Sequence, residues 1–387
     1  MVFHGYLDTL TVVALVLALV HFTVPLAYYA YIRRFYGREP VVGGDGDPSY
    51  TPSMTVIIPT YNEARFIVGK LDDIYRQDYP RDRLEVIVVD SGSDDGTVEL
   101  VLEWARGHQD IKVKVIREPV RRGKARALNE ALKHALGEVV VVTDADSRWV
   151  GGDTLRRVAW YLSDPQVAAV SCIKVPGDAG LLQVESTYRS FYNIIRVAES
   201  NLHSTPVFHG ELAAFKRKAL EEVGGFPRDI GADDSHTATL IALRGYRAIM
   251  ARDLVCTEAV PNGGYHYHIW RVRRAQHLVQ HFSRTLRLKP KTPRQFKLVL
   301  YTEAYLHLVN PWLLPLGTAM LVASAITGNL LAVALLAVGV ILLAYKPYRA
   351  WVAMQLYLIL ATLRNMWTKE IIWEKQEKPG TPSTTRS

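Results

Sequence analysis

The chain alternates short apolar runs with segments whose apolar positions recur every three or four residues. Met54 to Pro59 (MTVIIP), Leu84 to Val89 (LEVIVV), Lys112 to Ile116 (KVKVI) and Val139 to Thr143 (VVVVT) are short and rich in β-branched side chains, and each reads as a strand. Between them, Ala64 to Gln77 places Ile67, Leu71 and Ile74 at helical spacing, and Thr97 to Arg106 and Lys124 to Leu136 read as helices too. Strands alternating with helices predict an α/β fold with a mostly parallel sheet and right-handed crossovers. The unbroken valines suit a strand covered on both faces of such a sheet.

Other stretches are too long and too apolar for a soluble core. Leu10 to Ile32 carries no acid, lysine or arginine and is long enough to cross a bilayer, with Pro25 inside it. Arg33, Arg34 and Arg38 follow it, whereas only His4 and Asp8 stand before it. The positive-inside rule then places the N-terminus outside and the following domain in the cytoplasm. A cleaved signal is not expected, because there is no basic n-region and no small-x-small site. Beyond Ala304, LHLVNPWLLPLGTAMLVASAI and Asn329 to Tyr345 read as two more spans, with Thr327 to Asn329 as the turn. Trp351 to Leu363 is apolar but short, and suits an interfacial helix better than a short fourth span.

The expected organisation is an N-terminal transmembrane helix over 1–33, a linker over 34–53 and a catalytic domain over 54–262. A basic amphipathic interfacial segment over 263–302 follows. Two transmembrane helices occupy 303–346, the interfacial helix or short fourth span 347–374, and a disordered tail 375–387.

The net charge of +8 is concentrated rather than spread. No acid stands between Glu258 and Glu303, a stretch that holds Arg271, Arg273, Arg274, Arg284, Arg287, Lys289, Lys291, Arg294 and Lys297. Its position just before a membrane segment favours anionic headgroups or phosphates over nucleic acid. Cys172 and Cys256 have no metal-ligand spacing and read as free thiols. Sparse Asn and Gln beside abundant Arg have a thermophilic cast.

The polar residues that close the strands are the candidate chemistry. MTVIIP runs into Thr60, Tyr61, Asn62 and Glu63, and LEVIVV into VVDSGSDDGT, Asp90 and Ser91 included. RRGKARALNEAL opens a helix at Gly123 and Lys124, where a lysine beside a helix N-terminus suits a diphosphate. It is not a Walker loop, because Glu118 stands where that motif needs glycine. The valine strand ends in Asp144-Ala145-Asp146. Extended, that triplet puts both carboxylates on one side, where they repel unless a cation sits beside them. Alone it reads equally as two solvated loop acids. In open α/β sheets, ligands bind just outside these strand ends.

Taken in order, PTYNEA, VVDSGSDDGT, GKARALNEAL and DAD resemble glycosyltransferase family 2. Phe208 to Pro227 (FHGELAAFKRKALEEVGGFP) resembles the family's acceptor-side loop with His209, Gly210 and Glu211, and Ile230 to Met250 the stretch bearing its catalytic carboxylate. The flanking spans resemble the cellulose-synthase-like membrane branch. The resemblance implies a GT-A, Rossmann-like domain and inverting transfer from a nucleotide-diphosphate sugar. Pro59, Thr60, Tyr61, Glu63, Asp90, Ser91, Lys124, Asp144, Asp146, Arg271 and Arg274 would contact that donor. Asp146 and Asp144 would hold Mn2+ or Mg2+, since hard cations take oxygen ligands. Asp234 would be the general base with Asp233 in support; a plain helix N-cap is the alternative for that pair.

The chain departs from the pattern at Ser91, where a second aspartate is usual, which puts uridine in doubt and favours guanosine. It also lacks an in-register QxxRW: Ile269 to Leu278 reads IWRVRRAQHL, which argues against polymer synthesis. His266 and His268 have no acid beside them, so zinc is the lesser reading. The sum is similar to archaeal membrane mannosyltransferases of lipid-linked glycan assembly. GDP-mannose is then the expected donor and a polyprenyl- or dolichol-linked sugar the acceptor. A polyprenyl-phosphate transferase and a processive polysaccharide synthase using a UDP-sugar are the alternatives.

Overall fold

The computed structural model describes residues 8–38, 46–176, 183–258, 261, 264–288 and 292–369, leaving aside the side chains of 176 and 183–188. The expected disordered tail, and Lys289 and Lys291 of the basic stretch, lie outside the described residues.

The first half of the catalytic domain runs β1 (Met54–Thr60), α2 (Ala64–Tyr75), β2 (Leu84–Asp90), α3 (Thr97–Gly107), β3 (Lys112–Arg117), α4 (Lys124–Leu132) and β4 (Val139–Val142), after helix α1 (Thr9–Tyr36). The second half runs β5 (Ser147–Val150), α5 (Thr154–Ser163), β6 (Val167–Pro176), α6 (Gln183–Leu202), β7 (Ala213–Lys216), α7 (Arg217–Glu222), α8 (Asp233–Leu243) and β8 (Arg247–Glu258). Then come α9 (Gly264–Thr285), α10 (Arg294–Leu308), α11 (Asn310–Ile326), α12 (Leu330–Leu342) and α13 (Lys346–Arg364).

The strands form one 8-stranded sheet in the order β3-β2-β1-β4-β7-β6-β8-β5. The four strands expected from the apolar runs pair parallel with one another. The sheet as a whole is mixed, because β7 pairs antiparallel with β4 and β6, and β5 antiparallel with β8. Val139 to Val142 are all buried, each contributing about 1.5–3 kcal/mol of burial. Alternate residues of β1, β2 and β4 feed two cores, one on each face of the sheet. Gly123 takes φ +100°, which a side chain resists, and so turns the chain to open α4 at Lys124. Helix α4 ends at Leu132, short of the expected Leu136.

Helix α1 and the 33-residue stretch Arg294–Ile326 are each long and apolar enough to cross a membrane. They pack side by side, locked at one end by Thr11 and Asp8 against Ser324. Helix α12, expected as a further span, is 13 residues long, about 20 Å against a core of about 30 Å. A bend of 101° then leads into α13, whose Trp351 Nε1 donates to His21 Nε2 at 2.9 Å. Helix α13 packs against α9, and α12 with α13 is long and apolar enough to cross a membrane as a bent pair.

The two membrane-length helical stretches are joined to the α/β domain by buried polar contacts. Tyr28 of α1 donates to Glu199 of α6 at 2.8 Å. Arg196 of α6 bridges Glu199 at 3.1 Å and Glu303 of α10 at 2.8 Å. Ile32, Ile195, Ala198 and Leu306 pack around this junction.

Candidate active site

A cleft of about 350 Å³ opens at the carboxyl ends of β1, β2 and β4, walled by α4, α8 and α9. Pro59 and Thr60 line it from the end of β1, Tyr61 and Glu63 from the turn after it, Ser91 from just past β2, and Lys124 from the first turn of α4. Asp144 and Asp146 line it from the loop after β4, Asp233 and Asp234 from α8, and Arg271 and Arg274 from α9. His209, Gly210 and Glu211 enter from the segment before β7. Asp90 is set apart: its carboxylate accepts from Thr60 Oγ1 at 3.1 Å, from Ser93 N at 2.9 Å and from Ser93 Oγ, and borders a separate crevice. The Asp144–Asp146 triplet is not extended as expected but makes a turn between β4 and β5.

At the centre, charges of both signs converge on Gly210. A methyl group there would lie 2.7 Å from Lys124 Nζ, 3.3 Å from Asp144 Oδ2 and 3.4 Å from Asp234 Oδ2. Lys124 Nζ also pairs with Asp144 Oδ1 at 2.6 Å. Only glycine leaves the three groups room to share one small volume.

Asp233 and Asp234 occupy the first turn of α8, behind an N-cap at Ala232 that offers no side-chain bond, so neither is the cap. Burial pushes Asp234 up to about 7, the adjacent Asp233 adds to this, and Lys124 opposes it. Burial also raises Asp233, again against Lys124. Two carboxyls so close hold protons as a pair, which suits one of them to proton transfer near neutrality.

The wall toward α6 and α9 is a buried ion cluster that the sequence did not announce. Lys174 at the end of β6 pairs with Glu211 and, at 3.0 Å, with Glu258. Arg189 reaches Glu258 at 3.2 Å, and Arg274 reaches Glu258 at 2.8 Å and Glu211 at 3.4 Å. Burial works to raise Glu211, yet Lys174 and Arg274 hold it down to about 2. Arg274 also lies 4.2 Å over the Trp270 ring. Arg121, at the other end of the cleft, lies 4.3 Å over Tyr61. Glu211 and Arg274 were expected at the site; a lone lysine in the apolar run of β6 was the signal available for Lys174.

Among the described residues no three His, Cys, Asp or Glu side chains group to hold a metal. The cleft offers the carboxylates of Asp144 and Asp146 instead. That donor set fits a hard cation whose remaining ligands are substrate phosphates and water.

Residues 55–224 match the glycosyl transferase family 2 model. A solved mannosyltransferase from Pyrobaculum calidifontis, in complex with GDP-Man and Mn2+, is 55% identical, with a TM-score of 0.84 over 92% of this chain and 99% of that one. The chain belongs to glycosyl transferase family 2. This family 2 enzyme is also 30% identical over 304 residues to a UDP-forming cellulose synthase catalytic subunit of Pseudomonas fluorescens, across 72% of this chain and 39% of that one. A poly-β-1,6-N-acetyl-D-glucosamine synthase of Staphylococcus epidermidis is 26% identical over 265 residues, 66% of this chain and 62% of its own length. The family 2 chain thus spans between 17% and 62% of the curated relatives it matches. Its α/β domain has the GT-A fold.

Proposed function

We propose that the enzyme moves one mannose from GDP-mannose to a lipid-linked acceptor, with inversion, at the cytoplasmic face of the cell membrane. The observation that carries the reading is the convergence of Lys124, Asp144 and Asp234 at Gly210, in a chain 55% identical to a mannosyltransferase solved with GDP-Man and Mn2+.

Asp234 is the general base. Its carboxylate takes the proton of an acceptor hydroxyl as that oxygen bonds to the anomeric carbon and the bond from that carbon to the diphosphate breaks. Asp233 keeps a second negative charge beside it and so favours proton uptake. Lys124 grips the diphosphate from the α4 N-terminus, and the Arg271 and Arg274 guanidiniums bind phosphate oxygens as flat forks. Asp144 and Asp146 would hold Mn2+ or Mg2+, which when bound offsets the charge left on the departing nucleoside diphosphate.

The acceptor's lipid character is supported by the two membrane-length helices and by the α9 wall. There Lys174, Arg189, Arg271, Arg273 and Arg274 gather along one wall of the cleft, beside Glu211 and Glu258. Such a concentration of cationic side chains suits a phosphate on the acceptor. A second reading, a processive synthase using a UDP-sugar, is favoured by the cellulose and poly-N-acetylglucosamine synthase relatives.

The test is to incubate detergent-solubilised enzyme with radiolabelled GDP-mannose, Mn2+ and a polyprenyl-linked glycan. Label entering the lipid fraction one sugar at a time supports single transfer. Label in an insoluble polymer, or turnover of UDP-sugars alone, refutes it.

A further inference from the structure

The base end of the cleft carries a polarity that the motifs do not spell out. Asp90, expected by resemblance to contact the donor, gives its carboxylate to Thr60 and Ser93. The residue that lines the cleft at the end of β2 is Ser91. Its hydroxyl is already oriented, because Ser91 Oγ donates to Glu118 Oε2 at 2.9 Å. Glu118 is 4% exposed, its Oε1 accepts from Arg122 at 2.9 Å, and its backbone N–H donates to Asp90 O at 2.7 Å. An ionised carboxylate only accepts, so the single hydrogen of Ser91 goes to Glu118 and its lone pairs are what a ligand meets. Arg121, three residues along the same loop, lines this end of the cleft over the Tyr61 ring. A guanidinium only donates.

We propose that Ser91 and Arg121 select guanine, with Ser91 Oγ accepting from the 2-amino group and Arg121 donating to O6 and N7, and that Glu118 is the positioning residue that fixes the polarity of Ser91. This rests on the guanosine-donor reading above. Guanine presents a 2-amino donor, and its O6 and N7 are the acceptors that arginine reads as a pair. Adenine offers no 2-amino group and turns an amino group toward Arg121. A site built to receive a hydrogen bond rejects the analogue that lacks it.

The experiment measures dissociation constants for GDP, inosine diphosphate, ADP and UDP with Mn2+, using the full chain and the variants Glu118→Gln and Ser91→Ala. Inosine diphosphate differs from GDP only by the missing 2-amino group. The parent enzyme is expected to bind GDP about tenfold more tightly than inosine diphosphate, and ADP more weakly still. In Glu118→Gln, Arg122 takes the amide oxygen and the amide NH2 donates to Ser91, which turns the serine hydrogen into the cleft. GDP then weakens about tenfold, inosine diphosphate does not, and their ratio falls to one or below. Ser91→Ala, a smaller change, is expected to bring the ratio to one and keeps the test open if Glu118→Gln fails to fold. A parent ratio near one, or a ratio unchanged in folded variants, overturns the assignment while leaving the GDP-mannose reading intact. Tighter binding of UDP than GDP by the parent overturns that donor reading and this assignment with it.

Discussion

Replacing Asp234 by asparagine should destroy transfer and stabilise the protein at the same time. The carboxyl is moved from 3.8 to about 7, chiefly by burial and then by Asp233. At about 1.4 kcal/mol per pH unit, that displacement corresponds to roughly 4 kcal/mol of strain on the ionised form. Asp234 is partly open to the cleft, so water screens part of this, and about 2 kcal/mol is the working figure. The amide oxygen can still accept from Ser235 N, the bond Asp234 Oδ1 makes at 2.6 Å. The sign follows from the raised value. Below about pH 4 the group is protonated in both folded and unfolded chains, and the substitution changes little. Between about pH 4 and 7 the unfolded chain ionises this group while the folded parent keeps it protonated, so the gain of the variant grows across that window and is complete above about pH 7. For a domain of this size, about 2 kcal/mol is about 4–8 °C in Tm. Thermal melts in one detergent at pH 8 and pH 4, beside a mannose-transfer assay, test both halves. Transfer should fall by about 10²–10⁴-fold. A Tm at pH 8 equal to or below the parent's, or a gain of the same size at both pH values, would refute the reasoning.

Gly210→Ala should cut turnover at least tenfold with little change in Tm, because its methyl crowds the mobile end of Lys124 at 2.7 Å rather than the backbone; steady-state kinetics and a melt check it. Glu211→Gln leaves Lys174 and Arg274 short of one buried countercharge, and by analogy with broken buried pairs should cost about 3 kcal/mol, read by chemical denaturation. The pH profile of kcat/KM should lose about tenfold per unit on the acid side of about pH 7, as Asp234 takes up its proton, and Asp234→Asn should erase that limb. Removing divalent cations with a chelator should abolish transfer, and added Mn2+ should restore it.

The half of the sheet that could be read along the chain is the half held by local alternation. β1, β2, β3 and β4 are apolar runs separated by amphipathic helices, and their starts fall at Met54, Leu84, Lys112 and Val139 as expected. The antiparallel half was not legible. β7 is four residues, Ala213–Lys216, and is a strand only because β4 and β6 flank it. The Lys174, Glu211 and Glu258 cluster is assembled by the pairing of β6 with β8, whose residues lie 84 positions apart at Lys174 and Glu258. No local pattern encodes a contact of that kind. The Asp144–Asp146 triplet, read as extended just past the valine strand, is not extended. It turns instead, with Ser147 Oγ donating back to Asp144 O at 2.8 Å. Asp90 carries the motif letter for base contact, yet nearby hydroxyls and a backbone N–H claim its oxygens, a competition visible only in three dimensions.

The junction of α1, α6 and α10 bears on how the enzyme can be handled. Glu199 and Glu303 have no exposed surface, and their partners come from the membrane-length helices and from the α/β domain. A version trimmed to its soluble part would strand those charges and bare Ile195 and Ala198 to water. The same helix α6 carries Arg189, which grips Glu258 on the wall of the cleft. A displacement of α1 or α10 therefore has a route, through α6, to the wall of the cleft.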